Sequence, residues 1–304
     1  MGLVNSRSEI IFLYDTTDMN PNGDPMDENK PRIDEEVGIN IVTDVRLKRT
    51  IRDYLAYYEK QDVFILPVKD EKGNIKTKDE RLKKYKNDPE LLKTCVDVRM
   101  FGVTAAVKDG VITYTGPVQF KFGRSMHRVD MKYIKGTTII PAKKDSRQGT
   151  FTEKYILPYS LICFYGVVNE NLAKVQDLNL KNEDIELLLK GMWNGTKNLM
   201  SNSKMGQMPR VLIQVVYKEK NFQIGELDKR IKLKKYKQDE SIRDIEDVSV
   251  DITKFIEVMN KYKDVIEEIK YKVDDRANFI YKDEKKEFDE ILTYIDVKTS
   301  VLQV

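Results

Sequence analysis

The sequence predicts an α+β fold built on a β-α-β-β-α-β core, the split βαβ, ferredoxin-like arrangement also used by RNA-recognition modules. Three observations predict it. Apolar runs of strand length lie at Ser8 to Asp15, Tyr155 to Val168 and Arg210 to Lys218. Thr43 to Tyr58 and Asn182 to Met200 carry apolar residues at helical spacing. Once two lysine-rich irregular stretches and one hairpin are set aside, strands and helices follow one another in that order.

Ser8 to Asp15 (SEIIFLYD) is apolar without alternation, as suits a strand covered on both faces. Thr16 to Asn40 is a long polar loop, the length at which loops are usually functional or disordered. In Thr43 to Tyr58, residues Leu47, Ile51, Tyr54, Leu55 and Tyr58 share one helical face, with Thr43 as N-cap. Lys60 to Lys93 is lysine-rich with scattered apolar residues and reads as a surface insertion. A short helix is expected within Leu91 to Phe101. Val103 to Val107 and Val111 to Tyr114 flank Asp109-Gly110, a hairpin signal. Gly116 to Val129 alternates Val118, Phe120 and Phe122 with polar residues and reads as one strand. Arg128 to Lys154 is irregular and basic. Pro158 inside the next strand predicts an edge position or a bulge. Asn182 is the expected N-cap of the second helix. Beyond Lys220 the chain is strongly charged, and Phe255 to Val273 reads as helical.

Composition narrows the chemistry. The chain has 304 residues, 34% charged and 40% hydrophobic, with a formal net charge of +3. That is a globular composition, and any affinity for nucleic acid must come from local patches. Two cysteines, Cys95 and Cys163, exclude a disulfide scaffold and a cysteine-rich zinc site. A single histidine, His127, excludes a two-histidine ribonuclease mechanism and an HExxH metal site. No apolar run approaches about 18 residues, and MGLVNSRSE lacks a signal-peptide core, so a cytoplasmic chain without membrane contact is expected. Phosphate-cradling glycine motifs are absent, and no cofactor is expected.

The cations cluster. Gln119 to Lys154 holds nine Lys and Arg against three acids, interleaved with Phe120, Phe122, Met126 and Tyr133. Basic groups that track a backbone, with apolar side chains for stacking, suit single-stranded nucleic acid. The first helix carries Arg46, Lys48, Arg49 and Arg52. They read either as phosphate contacts near a helix N-terminus or as partners in Asp44–Lys48 and Arg49–Asp53 ion pairs. Asp18 to Asn29 imitates a calcium loop but ends in Asn29 instead of a bidentate Glu. Asp15, Asp18, Asp24 and Asp27 raise a metal-dependent nuclease as an alternative, against the ordinary role of Asp in turns.

One ordered string of motifs is more specific. Asn20-Pro21-Asn22-Gly23-Asp24-Pro25, Asn29-x-Pro31-Arg32-x-Asp34, Gly38 and Val42-Thr43-Asp44-Val45-Arg46-Leu47-Lys48-Arg49-x-x-Arg52-Asp53-Tyr54-Leu55 come first. Asp97-x-Arg99-x-Phe101-Gly102, Gly116-Pro117-Val118-Gln119, Arg124-Ser125 and Tyr155-x-Leu157-Pro158-Tyr159 follow in order. Together they resemble the backbone subunit of CRISPR Cascade complexes, of the RAMP superfamily, in its type I-B and I-C forms. The resemblance spans about Glu9 to Tyr217.

The resemblance implies an RNA-recognition-like palm (1–59, 94–127 and 154–220), a fingers insertion (60–93), a β-hairpin thumb (128–153) and a charged C-terminal extension packing on the palm (221–304). It implies a non-enzymatic guide (crRNA)-binding subunit in antiviral defence. About six copies would polymerise along the guide and present short segments for pairing with target DNA, so that base pairing, not protein, reads sequence. Implied partners are the guide RNA, target DNA, further copies, a large subunit and a second RAMP subunit at the 5′ end. Implied RNA contacts are Arg32, Thr43, Lys48, Arg49, Arg52, Arg124, His127, Arg128, Lys132, Lys135, Thr137 and Thr138. Lys143 and Lys144 are weaker candidates for the DNA strand. Relatives of type III cut RNA with a loop aspartate; the Asn-Gly-Asp-Pro string here follows the type I pattern, so Asp24 reads as a turn residue. The alternatives are a metal-dependent ribonuclease of the same superfamily and a stand-alone single-strand RNA-binding module.

Overall fold

The β1 strand, Ser8–Met19, runs through the centre of the molecule. Its side chains alternate between two cores. Ile10, Phe12 and Tyr14 enter one, and Ile11 and Leu13 enter the other. That is why the run shows no polar alternation. The computed structural model describes residues 2–86, 88–107, 110–137 and 151–304.

Downstream, β2 (Ile39–Val42) leads into α1 (Asp44–Tyr57). Thr43 caps α1, its side chain accepting from the Arg46 amide at 3.3 Å. Leu47, Ile51, Tyr54 and Leu55 are buried, whereas Tyr58 stays exposed and stacks on Tyr54. Next come α2 (Lys78–Lys84), α3 (Val96–Phe101) and the hairpin β3 (Gly102–Val107) with β4 (Gly110–Thr115). These elements share a third small core of Phe64, Leu82, Tyr85, Leu92, Val98, Val103 and Ile112. The insertion is therefore a folded unit that reaches past Lys93 into the hairpin.

The segment expected as one strand from Gly116 is two, β5 (Val118–Phe120) and β6 (Gly123–Ser125). Phe122 turns outward at the break. After β7 (Lys132–Thr137) comes β8 (Phe151–Val168). Pro158 lies where β8 changes partners: Ile156 still pairs with Lys132, while Leu157 and Tyr159 pair with β1. Asp18, between their partners Met19 and Thr17, takes a left-handed φ of 53°.

The second helix, α4 (Asn182–Lys197), starts one residue earlier than expected. Lys181 is the N-cap position, and its amide donates to Asp184 Oδ2 at 2.9 Å. A Cβ on Gly191 or Gly195 would come within 2.9 Å of Ile51 or 3.0 Å of Tyr54, so their missing side chains let α1 and α4 touch. Strand β9 (Met208–Tyr217) follows.

The main sheet places β9 beside β1, β1 beside β8, and β8 beside β5 and β6, all antiparallel. In chain order the four core positions read 4-1-3-2. Both helices pack on one face, through Ile10, Phe12, Ile51, Leu188 and Met192. The opposite face is covered by the C-terminal third: β10 (Lys232–Lys235), β11 (Val248–Asp251) and α5 (Thr253–Lys261), with Val248, Val250, Phe255 and Ile256 on Ile11, Leu161 and Ile213. Phe255 to Val273 is thus not one helix. Its second half is β12 (Ile266–Val273), which pairs with β9 and extends the sheet, followed by β13 (Thr299–Val301). Ile269 and Tyr271, two residues apart as a strand requires, face the core there, and a register shift at Glu267 brings Ile266 to the same side.

Two buried carboxylates fasten the C-terminal third. Glu9 accepts from the Tyr165 and Tyr217 hydroxyls and from the amides of Ile224, at 2.9 Å, and Gly225, at 3.0 Å. Glu170 binds Arg7 Nε and the Asn221 amide. Among the described residues no helix is long and apolar enough to cross a membrane.

Candidate nucleic-acid interface

The loop before α1 is held in shape by its own polar residues. Asn22 Oδ1 accepts from the Thr43 amide at 2.8 Å and hydroxyl at 2.9 Å. The Asn20 side chain donates to Asn29 O, and the Asn20 amide to Ser203 O. Asp24 accepts from the Met26 amide at 3.0 Å and from Arg32 Nη1 at 2.6 Å. The carboxylate is engaged in a turn and an ion pair.

The cations of α1 divide into two kinds. Lys48 and Arg52 are buried. Lys48 Nζ lies 3.0 Å from Asp44 and 3.1 Å from Gln119 Oε1. Arg52 Nε lies 2.9 Å from Asp97, which is fully buried and also accepts from the Phe64 and Ile65 amides. Both cations sit over the Phe101 ring. Arg49 is half exposed and paired with Asp53. The structure thus contains both i,i+4 pairs, and Lys48 and Arg52 brace α1 against the 96–120 segment.

Arg46, which the sequence pattern did not set apart from its neighbours, is different. Its Nη2 donates to Thr50, but its buried Nε has no hydrogen-bond partner. Lys204, on the loop before β9, donates to Asn20 O and Ser203 Oγ. Neither forms an ion pair with a described carboxylate. Burial, and then the charge of Arg46, lower the Lys204 pKa; burial chiefly lowers that of Arg46. Beside the opening of α1, Arg46 thus acts on Lys204 through its charge, and Asp53, already paired with Arg49, is the carboxylate that offsets part of the burial of Arg46. Lys204 gave no sequence signal, because it stands alone in a polar stretch.

The predicted basic stretch runs from β6 to the β7–β8 ribbon. Arg124 is exposed and pairs with Asp34 at 3.1 Å. Arg128 is exposed, its Nε lies 3.8 Å from Glu240, and its amide donates to Asp239. Lys132 pairs with Asp130, and Lys135 lies 3.9 Å from Glu153. Thr137 ends β7 opposite Phe151. Thr138, Lys143 and Lys144 lie outside the described residues. Residues 151–156 of β8 pair with β7 and not with β1, so the β7–β8 ribbon projects about 20 Å beyond the sheet. It carries exposed Tyr133 against Tyr155, and exposed Ile134 and Lys154.

His127 is buried inside the fold. Nδ1 faces Arg128 O at 2.8 Å, Nε2 faces the Leu161 amide at 3.3 Å, and the ring stacks on Tyr159. Burial holds its pKa below the ordinary value. A neutral ring that donates through Nδ1 and accepts through Nε2 satisfies both contacts.

The aspartates do not converge. Asp15 is buried and bound to Arg210 Nε at 2.8 Å and Tyr159 OH at 2.9 Å. Asp27 pairs with Lys30, and Asp18 is exposed. Among the described residues no group of three or more potential ligands is placed to hold a metal ion.

The family model for CRISPR-associated protein Cas7 matches residues 6–253. A CRISPR-associated protein Cas7 of Haloferax volcanii is 33% identical over 324 residues, covering 95% of this chain and 93% of that one. Two solved structures share the fold. One is a chain of a CRISPR RNA-guided surveillance complex, pre-nicking, with a TM-score of 0.55, 11% identity, and 91% and 96% of the two chains covered. The other is a chain of a CRISPR RNA-guided surveillance complex, with a TM-score of 0.51, 16% identity, and 88% of each chain covered. From Ser6 through the sheet, both helices and the start of the C-terminal cover, the chain belongs to the Cas7 family of CRISPR-associated proteins.

Proposed function

We propose that this chain is the guide-RNA-binding backbone subunit of a type I CRISPR Cascade surveillance complex. Copies of it line the guide and hold it for pairing with target DNA, beside a large subunit and a second RAMP subunit at the 5′ end. The observation that carries the nucleic-acid part of this reading is Arg46 with Lys204, two cations in no ion pair among the described residues, with a buried Arg46 Nε that has no hydrogen-bond partner. A backbone phosphate is the anion that fits: it satisfies the idle Arg46 Nε and relieves the repulsion between the two charges.

The 4-1-3-2 sheet with two helices on one face is the palm of this reading. The unit around Phe64, Leu82 and Val103 is the fingers, and the β7–β8 ribbon is the thumb. Arg32, Thr43, Arg49, Arg124, Arg128, Lys132 and Lys135 are proposed as guide contacts that rearrange from their present pairs, Thr137 and Thr138 as further guide contacts, and Lys143 and Lys144 as contacts toward the DNA. Lys48, Arg52 and His127 are proposed to act by positioning, since their polar atoms are already committed inside the protein. The subunit is proposed to be non-enzymatic, with Asp24 holding its loop and Arg32.

The test is purification from the native host, followed by sequencing of co-purifying RNA and a salt titration of RNA binding. Discrete RNAs, each a spacer with repeat-derived ends, are expected. Arg46→Ala with Lys204→Ala is expected to weaken binding and flatten the salt dependence by about 0.7 in slope for each phosphate no longer neutralised. RNA-free protein, or a random RNA mixture with an unchanged slope in the double variant, would overturn the reading.

A further inference from the structure

A second site lies away from α1. Between residues 120–126 and the segment 228–233 opens a cleft of about 720 Å³. Its floor is apolar, formed by Phe120, Met126, Cys163 and Ile231. Several of these belong to, or pack on, the core of the sheet face that α1 and α4 leave free. Phe122, 54% exposed, lines the cleft. The rim carries Lys121 and Lys232 beside one lining carboxylate, Asp228; Lys229 is paired with Glu226, and Arg124, at the border, with Asp34.

The details favour a nucleotide. Lys232 has no ion-pair partner among the described residues, and Lys121 reaches Asp228 only at 3.8 Å. Lys121 Nζ instead stands 4.7 Å from the Tyr165 ring centroid. Asp228 Oδ1 is buried and accepts no hydrogen bond. A base supplies what is missing on each count: a flat apolar face for Phe122, an N–H for Asp228 and a phosphate for the lysines. An acidic peptide meets the lysines but brings only further negative charge to Asp228.

We propose that this cleft binds one nucleotide of a single strand separate from the guide, with the base against Phe122 and its phosphate at Lys232. The word separate rests on the function proposed above; the cleft itself does not. The test titrates a fluorescent mixed-sequence strand, as RNA and as DNA, into protein carrying whatever RNA it purifies with. Phe122→Ala is expected to weaken binding about fivefold or more, the scale of one base stack removed. Lys232→Glu is expected to weaken it and to lower the salt slope, while co-purifying RNA stays at the wild-type level in both variants. The arm that binds more tightly, RNA or DNA, identifies the strand. Unchanged affinity in both variants overturns the proposal, as does displacement of the strand by polyglutamate at equal concentration. Loss of co-purified RNA in both variants also overturns it, by making the cleft part of the guide path. If wild-type protein carries no RNA, the function proposed above falls, and the titration still reads the cleft.

Discussion

Arg52→Ala separates a bracing role from a phosphate-binding one. The guanidinium Nε is 2.9 Å from Asp97 Oδ2, and the two side chains are 11% and 0% exposed. Removing the cation leaves a carboxylate with no access to water, held only by the Phe64 and Ile65 amides at 2.7 and 3.0 Å. Breaking a buried pair from one side costs about 3–5 kcal/mol. Without Arg52 the Phe101 ring, now 5.0 Å from the guanidinium, also loses a cation–π partner, which adds about 0.5–1 kcal/mol. Against a total stability of about 5–15 kcal/mol that is a large fraction. A phosphate-binding Arg on an open surface behaves otherwise: truncating it leaves stability within about 0.5 kcal/mol and removes about 0.7 from the salt slope. The assay is urea unfolding of RNA-free protein by circular dichroism, with wild type, Arg52→Ala and Arg52→Lys side by side. The structure predicts a large loss for Ala and a smaller one for Lys, which keeps the charge but loses the planar fork. An Arg52→Ala midpoint equal to wild type, with a reduced RNA salt slope, would refute the bracing argument.

Two further outcomes follow from buried groups. His127 has a pKa held below the ordinary 6.5 by burial, so the unfolded chain takes up the proton first. Stability is therefore complete above about pH 6.5 and declines as pH falls below it, until the folded ring titrates. His127→Gln removes this part of the pH dependence, read as the difference between the two urea midpoints at several pH values; parallel profiles would exclude it. Four donors and no cation converge on Glu9 through hydrogen bonds, so Glu9→Gln sets an amide NH2 against donors. It is expected to cost about 2 kcal/mol or more and to expose residues 221–226 to protease, and an unchanged cleavage pattern would contradict that.

What the sequence made legible followed from burial. Ser8 to Asp15 and Arg210 to Lys218 lie in the middle of the sheet with both faces covered, so their apolar runs were unbroken. Ile266–Val273 lies further out, and Glu267, Glu268 and Lys270 break its pattern into something that imitates a helix. Gly116 to Val129 showed the right alternation but not the break at Phe122. At the site, composition located the cations and left their state open. Arg46, Lys48, Arg49 and Arg52 are alike in sequence. What divides them is Asp97, 45 residues from Arg52, and Gln119, 71 residues from Lys48. Partners so distant are set by the tertiary fold, and Lys204 becomes a neighbour of Arg46 only once β9 is in place.

The covered sheet has a consequence for how a strand can be held. Modules of the RNA-recognition type stack bases on the open face of a four-stranded sheet. Here that face is filled by Val250, Phe255 and Ile256, fastened through Glu9 and Glu170. Bases cannot lie on it without unfolding the C-terminal third. On the proposals above, contacts fall to the opening of α1, the projecting ribbon and the cleft beside Phe122, away from that covered face. On the function proposed above, cations such as Arg46, Lys204, Arg124 and Lys132 would hold phosphates and leave base edges free. A subunit that must present any guide sequence for pairing needs that division. On this argument the C-terminal third does more than add core: by occupying the stacking face, it keeps the protein from reading the bases it displays.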